Sequence, residues 1–400
     1  MLTAIRPADL RGAARLAIDA TTGVTDVVEA MHERIARIPL VGRAAPEGRL
    51  GGIGGLVYRS IRGVTRLVGG GLDTGLDLLD RAWPVRGTTV GREAVVAALN
   101  GVLGDHMAAS GNPLALTMAM RHGGRPLVLE RDALVAELPC AGPKLLVLLH
   151  GLCMNDLQWK RDGHDHGAAL QRDLGYTPVY LHYNSGQRIA TNGAALAQLM
   201  ERLVGQWPQP LQRVVLLGHS MGGLVARSAL HAARQTGLRW AGRVDDLVCL
   251  GTPHHGAPLE RAGHGLDLVL GAAPYAAPLA RLGQRRSAGI KDLRHGNLLD
   301  EDDDGQDRGA RRGDRRRVLS LPEGVRCYAM AATTGMRRGD GKDRLFGDGL
   351  VPLASALGRH DDPRRTLAFA PERQWVGHSM GHLDLLGHPE VYAQLRRWLA

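Results

Sequence analysis

Two serines in this chain lie in identical pentapeptides of the form Gly-x-Ser-x-Gly. The sequence GHSMG occurs at Gly218–Gly222, around Ser220, and again at Gly377–Gly381, around Ser379. This pattern is typical of a serine that attacks a carbonyl carbon from a sharp turn between a strand and a helix. Glycines flank such a serine because the turn brings one backbone segment against another. The surroundings of each serine therefore decide which of them can act.

A nucleophilic turn needs a strand before it and a helix directly after it, because the N-terminal amides of that helix face a developing oxyanion. Ser220 has both: the apolar run Val214–Leu217 precedes it and a helical pattern at Leu224–Leu230 follows it. Ser379 is preceded by only three strand-like residues and is followed by bulky residues. We expect Ser220 to be the nucleophile; the alternative is a tight strand–helix turn without chemistry.

A serine hydroxyl needs a general base, and the base needs a carboxylate that orients it. In this architecture the chain order is serine, acid, histidine. Downstream of Ser220, LFGDGLVPLASAL contains Asp348 and GHSMGHLDLLGHPEV contains His382, and we expect these two to be the acid and the base. Four neighbouring side chains are the alternatives: Asp340 and Asp343 for the acid, and His378 and His388 for the base.

Two backbone N–H groups must stabilise the oxyanion of the tetrahedral intermediate. One is expected from Met221, the residue after the nucleophile. The other is expected from the turn after the first parallel strand, which reads LLVLLHGLCMND and offers the amide of Leu152. His150 in this turn is expected to form structural hydrogen bonds rather than to act in catalysis.

Apolar runs of strand length recur along the chain. They are Lys144–Leu149, Pro178–His182, Arg213–Leu217, Asp246–Leu250 and Val325–Ala331, with helical patterns such as Ile189–Val204 and Gly223–Arg234 between several of them. This alternation predicts an α/β fold with a mostly parallel central sheet and flanking helices. Before these runs, LALTMAM-RHGG-RPLVLE predicts an antiparallel hairpin that turns at Gly123–Gly124.

Two further segments complete the predicted organisation. Residues 252–324 are rich in glycine, proline and charge, so we expect a cap or lid insertion there, with a flexible charged loop at about 300–317. Residues 1–111 show apolar positions at helical spacing, and Glu93–His106 is one candidate helix, so we expect a helical N-terminal extension before a domain at 112–400. This extension is a packed subdomain, an amphipathic surface for membranes, or an oligomer contact.

The composition excludes some classes of function. The net charge is +10, but the densest basic run, Arg308–Arg317, directly follows the acidic run Asp300–Asp304. Adjacent runs of opposite charge are typical of solvated loops, so we expect no nucleic-acid partner. The N-terminus lacks the apolar region of a signal peptide, and no segment has 18 continuous apolar residues, which together predict a cytoplasmic protein. The four cysteines are far apart without C-x-x-C spacing, which predicts reduced, mostly buried thiols.

Four motifs together resemble the α/β-hydrolase superfamily, and more narrowly its lipase and esterase branch. They are His150-Gly151-Leu152, similar to an HG-x oxyanion turn, Gly251–Gly256 (GTPHHG), Asp348–Pro352 (DGLVP) and His382–Asp384 (HLD). Similar sets occur in bacterial lipases and in deacylases that remove acyl chains from GPI lipids. The resemblance covers about Leu114 to Ala400 and implies an α/β-hydrolase fold.

Some lipases of this kind hold a structural calcium near the histidine loop, at a position like that of Asp384, and some carry zinc in the region that corresponds to Asp162–His166. The sequence shows no partner carboxylates for Asp384, and an exposed polar loop is the simpler interpretation of Asp162–His166. We therefore expect no metal and no cofactor.

These features together predict a serine esterase or lipase that acts on a hydrophobic acyl ester through an acyl-enzyme. One alternative is an acyltransferase on the same fold. The other is a non-catalytic scaffold that binds lipid or a partner through the helical N-terminus. The presence of a candidate nucleophile, base and acid at Ser220, His382 and Asp348 argues against this second alternative. The expected partner is a small-molecule or lipid ester, with peripheral membrane contact through the N-terminal helices as a further option.

Overall fold

The computed structural model describes residues 6–19, 90–257, 287–302, 316–336 and 347–400. They fall into two compact units. The described part of the smaller unit comprises residues 6–19, of which 7–19 are helical, and Met107–Ala115. Within it, the Asn112 side chain donates to the Gly12 carbonyl at 3.0 Å. The helices expected between residues 20 and 89 lie outside the described residues, and the boundary at 111–112 stays a prediction.

The larger unit contains Val90–His106 and the described residues from Leu116 to Ala400. Its strands are β1 Ala119–His122, β2 Arg125–Pro126, β3 Lys144–Leu149, β4 Thr177–His182, β5 Arg213–His219, β6 Asp246–Leu250, β7 Arg326–Thr333 and β8 Gln374–His378. Its helices are α1 Val90–Ala109 (whose last residues belong to the smaller unit), α2 Arg131–Glu137, α3 His166–Leu174, α4 Ile189–Gln206, α5 Met221–Gln235, α6 Ala288–His295, α7 Leu353–Ala356 and α8 Pro389–Leu399. None of these described helices is long and apolar enough to cross a membrane.

The eight strands form one sheet in the order β2-β1-β4-β3-β5-β6-β7-β8. β1 pairs antiparallel with β2 and β4, and all other pairs are parallel. The predicted mostly parallel α/β fold and the hairpin at Gly123–Gly124 are confirmed. β8 is the strand that the sequence analysis missed, because its five residues are only partly buried and carry no apolar run.

The central strands are buried on both faces, which explains their continuous apolar sequences. In β3, Leu145 and Val147 pack into a cluster with residues of α4 and α5, whereas Leu146 and Leu148 pack into a second cluster with residues of α3 and α8. Helices therefore cover both faces of the sheet. This places the carboxyl ends of the parallel strands along one edge, where the loops after them meet.

Helix α1 packs on two of those loops. A Cβ on Gly101 would lie 2.2 Å from Cys153 Sγ, and one on Gly104 would lie 1.9 Å from Asn184 Oδ1. The Asn184 amide donates to the Gly104 carbonyl at 2.9 Å. The helix thereby supports the turns after β3 and β4, a role that its sequence did not indicate.

The four cysteines are free thiols, as the sequence predicted. Cys153, Cys249 and Cys327 are buried, and burial raises the pKa of each to about 12. Cys140 is exposed. The three buried thiols therefore stay protonated and contribute to packing rather than to nucleophilic chemistry.

Only part of the predicted cap insertion falls within the described residues. Residues 287–302 contain α6, whose N-terminus is capped by the Ser287 hydroxyl, and a short 3-10 helix at Asp300–Asp302. Residues 316–324 lead back into β7. The remainder of the insertion, including most of the charged loop expected at 300–317, lies outside the described residues.

The close approach of α5 to β3 gives a test of this packing. A Cβ on Gly222 would lie 2.2 Å from the Leu149 carbonyl oxygen, which is backbone and has no rotamer to adjust. We expect Gly222→Ala to lower the free energy of unfolding by about 3 kcal/mol, measured by urea denaturation. Gly205→Ala in α4 is the matched control: nothing lies within 4 Å of its added methyl, and we expect a gain of up to about 1 kcal/mol. Equal effects at both positions would contradict the packing described.

Candidate functional site

Ser220 lies at the turn between β5 and α5. Its backbone has φ 53° and ψ −121°, a region that a residue with a side chain rarely adopts, and α5 begins at the next residue, Met221. The Ser220 amide donates to the Leu250 carbonyl at 2.8 Å, which fixes the turn to β6. The side chain is at the N-terminus of a fifteen-residue helix. This is the strand–turn–helix geometry that presents a serine hydroxyl and directs helix amides to the same place.

The second pentapeptide adopts more of this geometry than its sequence indicated. Ser379 has φ 55° and directly follows the five-residue strand β8, so a preceding strand and a sharp turn are present although the sequence shows only three strand-like residues before it. The helix is what it lacks: the next regular element is a 3-10 helix that begins only at His382. Ser379 is also exposed, whereas Ser220 is 7 % exposed.

The Asp348 carboxylate holds the His382 ring. His382 Nδ1 lies 2.7 Å from Asp348 Oδ2, and both side chains are buried. Because the carboxylate accepts, Nδ1 carries the proton and Nε2 is left with a lone pair, which is the tautomer of a general base. The other oxygen, Oδ1, accepts from the amides of Leu350 at 3.0 Å and Val351 at 2.8 Å, so the carboxylate itself is fixed.

His219, the residue before Ser220, connects the serine turn to the histidine loop. Its Nε2 lies 3.2 Å from the His382 carbonyl oxygen, and the two rings are 4.7 Å apart between centroids. Since a carbonyl only accepts, His219 Nε2 carries the proton. Among the described residues the Ser220 hydroxyl makes no hydrogen bond to the His382 ring. In unliganded enzymes, hydrogen bonds between a nucleophile and a base are often long and shorten only when substrate binds.

The turn after β3 lies against Ser220. A Cβ on Gly151 would lie 3.2 Å from Ser220 Cβ. His150 Nδ1 donates to the Gly151 carbonyl at 2.9 Å, and the Tyr183 hydroxyl donates to the His150 carbonyl at 2.8 Å. The Cys153 amide donates to the Ser185 hydroxyl at 3.0 Å. These bonds fix the backbone on both sides of Leu152, and His150 forms the structural hydrogen bonds expected of it.

Three contributors to this edge were missed from the sequence: Tyr183, Ser185 and His219. Tyr183 directly follows β4 and Ser185 is the third residue after it. The ring of Tyr183 stacks on His150 at 4.2 Å between centroids. Polar residues just past the carboxyl end of a buried parallel strand are the signal that indicates such a role. His219 is inside the Gly-x-Ser-x-Gly pattern, at a position where the pattern leaves the residue type open.

The alternative acids and bases are placed elsewhere or not described. Asp340 and Asp343 lie outside the described residues. His388 caps α8, with its Nδ1 accepting from the Glu390 amide at 3.3 Å. His378 is the last residue of β8.

The residues suspected of binding metals are engaged in local hydrogen bonds. Asp384 accepts from the Gly381 amide at 2.7 Å, and Asp165 accepts from the Ala168 amide and caps α3. His164 Nε2 lies 2.8 Å from His166 Nδ1. Among the described residues, no three histidine, cysteine or acidic side chains form a group that could hold a metal ion.

Burial keeps a set of histidines neutral. It lowers the pKa of His150 to about 3 and those of His166 and His255 to about 4. It also lowers the pKa of His219 and of His254 well below 6.5. These imidazoles therefore act as neutral hydrogen-bond donors and acceptors at pH 7.

The sheet order, the single antiparallel end, and the strained serine between β5 and α5 define the fold. Residues 146–281 also match the family model described as the PGAP1-like alpha/beta domain. The fold is that of the α/β hydrolases. In this α/β-hydrolase fold, the matched residues run from β3 through the Ser220 turn and β6 into the segment between β6 and β7.

Known structures of similar fold are distant in sequence. The mature Bacillus licheniformis lipase BlEst2 is 18 % identical, with 71 % of this chain and 98 % of that chain covered and a TM-score of 0.41. The metagenomic carboxyl esterase MGS0156 is 17 % identical (78 % and 96 % covered, TM-score 0.40), and the RedJ thioesterase from the prodiginine pathway of Streptomyces coelicolor is 17 % identical (65 % and 86 %, 0.37). No curated protein matches the sequence. Similarity this low does not transfer an activity to this chain.

The buried histidines predict a loss of stability in acid. Each has a lower pKa folded than unfolded, where it is about 6.5, so the unfolded chain binds more protons below that pH and stability falls as pH falls. We expect the free energy of unfolding to drop by several kcal/mol between about pH 6.5 and pH 4.5, since each neutral histidine contributes up to about 1.4 kcal/mol per pH unit. Urea denaturation across this range measures it.

His150→Gln is the control for this prediction. Glutamine can replace the donor to Gly151 but does not titrate, so we expect the slope of stability against pH to decrease by about 1.4 kcal/mol per pH unit. An unchanged slope would show that His150 is protonated in the folded state.

Proposed function

We propose that this chain hydrolyses carboxylic esters with Ser220 as nucleophile, His382 as general base and Asp348 as the carboxylate that orients the base. The observation that carries the proposal is the buried 2.7 Å hydrogen bond between His382 Nδ1 and Asp348 Oδ2, on a loop that contacts the residue before Ser220. This contact gives the ring the tautomer that a serine nucleophile requires.

In the proposed reaction, Ser220 Oγ attacks the ester carbonyl while His382 Nε2 takes its proton. The same proton is then given to the departing alcohol, which leaves an acyl-enzyme on Ser220. A water molecule, activated by His382, attacks the acyl-enzyme and releases the acid. Asp348 stays ionised throughout and stabilises the imidazolium that forms in each half of the reaction.

The amides of Leu152 and Met221 are the proposed donors to the oxyanion. Met221 is the first residue of α5, so its amide is one of those left without an intrahelical partner and adds to the favourable end of the helix dipole. Leu152 lies in the turn that packs on Ser220 and is held by His150 and Ser185. Donors fixed in this way need no rearrangement as charge develops, which is the condition for effective stabilisation.

We extend the proposal to esters with a hydrophobic acyl group. The insertion between β6 and β7 follows the strand that contacts the nucleophile turn, and its sequence includes the apolar stretch GLDLVLGAAPYAAPLARLG. The apolar sequence of this insertion supports the proposal that the acyl chain of the substrate is hydrophobic. Hydrolysis of nitrophenyl esters with acyl chains from two to about sixteen carbons is the corresponding assay.

Ser220→Ala tests the nucleophile. We expect kcat for nitrophenyl ester hydrolysis to fall by about 10⁴-fold or more, because only oxyanion stabilisation and binding remain. Ser379→Ala is the matched control, since it removes the same hydroxyl from the same pentapeptide at nearly the same φ. We expect Ser379→Ala to retain activity and Ser220→Ala to lose labelling by a fluorophosphonate probe.

Three outcomes would contradict the proposal. Undiminished turnover of folded Ser220→Ala removes Ser220 from the reaction. Failure of the unmodified protein to label with fluorophosphonate favours a non-catalytic scaffold. Preferential transfer of the acyl group to an added alcohol, rather than to water, identifies an acyltransferase.

Asp348→Asn tests the orienting carboxylate. The asparagine oxygen is expected to keep the two amide bonds from Leu350 and Val351, so its NH₂ group faces His382 Nδ1 and favours the wrong tautomer. We expect kcat to fall by about 10³–10⁴-fold with little change in KM. Asp362→Asn, which alters a half-buried carboxylate that caps the 3-10 helix Pro363–Arg365, is the control. A loss in kcat below tenfold for Asp348→Asn would rule out this role.

A further inference from the structure

A cleft with a lining that includes Arg227, His254, Asp302, Arg316, Arg317 and Arg365 contains none of the three proposed catalytic residues among its lining residues. We call it the basic cleft. Its empty volume is about 340 Å³, which includes space that is open to solvent. Its lining residues come from α5, the turn after β6, and the segments at 296–302, 316–319 and 365–367. Four guanidinium groups in one small cleft are a concentration of charge that the proposed ester hydrolysis does not use.

Arg227 is the innermost of these charges. Its side chain is 3 % exposed, and among the described residues no carboxylate pairs with it. Its Nη1 donates to His254 Nδ1 at 3.2 Å and its Nη2 donates to the Leu319 carbonyl. The Nε atom is buried and has no hydrogen-bond partner among the residues that the structure describes. A buried guanidinium that is left unpaired is strongly destabilising, so this position favours an anion close to it.

His254 presents a second unused donor. It is 2 % exposed, and its Nδ1 accepts from Arg227, so its Nε2 carries the proton. That Nε2–H is buried and also lacks a hydrogen-bond partner within the described part of the chain. Two buried donors from different elements, α5 and the turn after β6, therefore border the same cleft with their hydrogen bonds unmade.

The acidic side chain in the lining is used for structure. Asp302 Oδ2 accepts from the amides of Leu298 and Leu299 at 2.9 and 3.0 Å, and Oδ1 accepts from the Arg317 amide at 2.9 Å. Arg317 itself lies at the exposed rim, with its Nη1 3.5 Å from Glu301. The described carboxylate of the cleft thus holds the backbone of the rim in place, and its oxygens do not reach the two unused donors.

We propose that the basic cleft binds a phosphate group. A phosphate has enough acceptor oxygens to receive Arg227 Nε–H, His254 Nε2–H and the rim guanidinium of Arg317 together, whereas a single carboxylate has two. Guanidinium groups match phosphate oxygens in geometry and charge. Arg227 lies seven residues after Ser220 on the same helix, about 10 Å along its axis, so the site is separate from the reacting hydroxyl.

Inorganic phosphate is the first probe. We expect it to raise the Tm of the full chain saturably at constant ionic strength, and isothermal titration calorimetry to give one site per chain. Arg317→Gln at the rim should weaken the affinity about tenfold, because one charge-assisted hydrogen bond is lost. Arg239→Gln is the matched control, since Arg239 has a side chain that is 90 % exposed and is not part of the cleft. Equal affinity for acetate and phosphate would overturn the phosphate assignment.

Arg227→Met separates binding from a purely structural role. If phosphate binds at Arg227, the stability difference between the unmodified protein and Arg227→Met grows with phosphate concentration, because only the former is stabilised by the ligand. If Arg227 only supports His254 and Leu319, the difference is the same with and without phosphate, which overturns the proposal. Should Arg227→Met not fold, the comparison of Arg317→Gln with Arg239→Gln decides: identical phosphate affinities overturn the proposal.

The source of the phosphate is decided by a second titration, with glycerol phosphate. Tighter binding of glycerol phosphate than of inorganic phosphate identifies the head group of a phosphate-bearing ester, and tighter binding of inorganic phosphate identifies a free ion. These titrations use folded Ser220→Ala as well as the unmodified protein. Phosphate binding that persists in Ser220→Ala, together with loss of ester hydrolysis, keeps this inference distinct from the proposed function.

Discussion

The candidate site depends on close contact between backbone segments at the turn between β5 and α5. A methyl group on Gly222 would reach the Leu149 carbonyl, and one on Gly218 would lie 2.4 Å from the Gly223 amide nitrogen. Such contact is compatible only with glycine, and it forces Ser220 into a conformation that side chains rarely adopt. The surrounding sheet must therefore stabilise the turn: the buried strands on either side keep α5 against β3 even though the turn itself is strained.

Histidines connect the loops that meet at this turn. His219 reaches the His382 carbonyl, and His150 bonds within the turn after β3 and stacks on Tyr183. A buried imidazole can join two backbone segments only while it is neutral, because a charged ring would be poorly solvated there. The lowered pKa of His150 and of His219 follows from this burial. The neutral histidines therefore fix the loops, but the same burial makes the folded protein less stable in acid.

The sequence predicted the strands that are buried on both faces, because a continuous apolar run of strand length is typical of a parallel strand between two layers of helices. It also predicted Asp348 and His382 as a pair, and the structure places them in hydrogen-bond contact. It did not predict β8, which is half-exposed, or the packing of α1 on the turns after β3 and β4. Nor did it indicate the basic cleft, because its arginines come from segments that are far apart in the chain. Residues that meet only through tertiary structure leave no local periodicity or spacing to detect.

The duplicated pentapeptide shows what a short motif does and does not determine. Both copies follow a strand, and both place the serine at a φ near 55°. The five residues therefore encode a turn, with glycines that permit it. They do not encode the helix that follows Ser220, the burial of its side chain, or the turn at Gly151 that lies against it. Those features come from residues outside the motif, which is why identical sequences give an exposed turn at Ser379 and a candidate nucleophile at Ser220. The second copy instead leads the chain from β8 to His382, so its turn contributes to positioning the loop that contains His382.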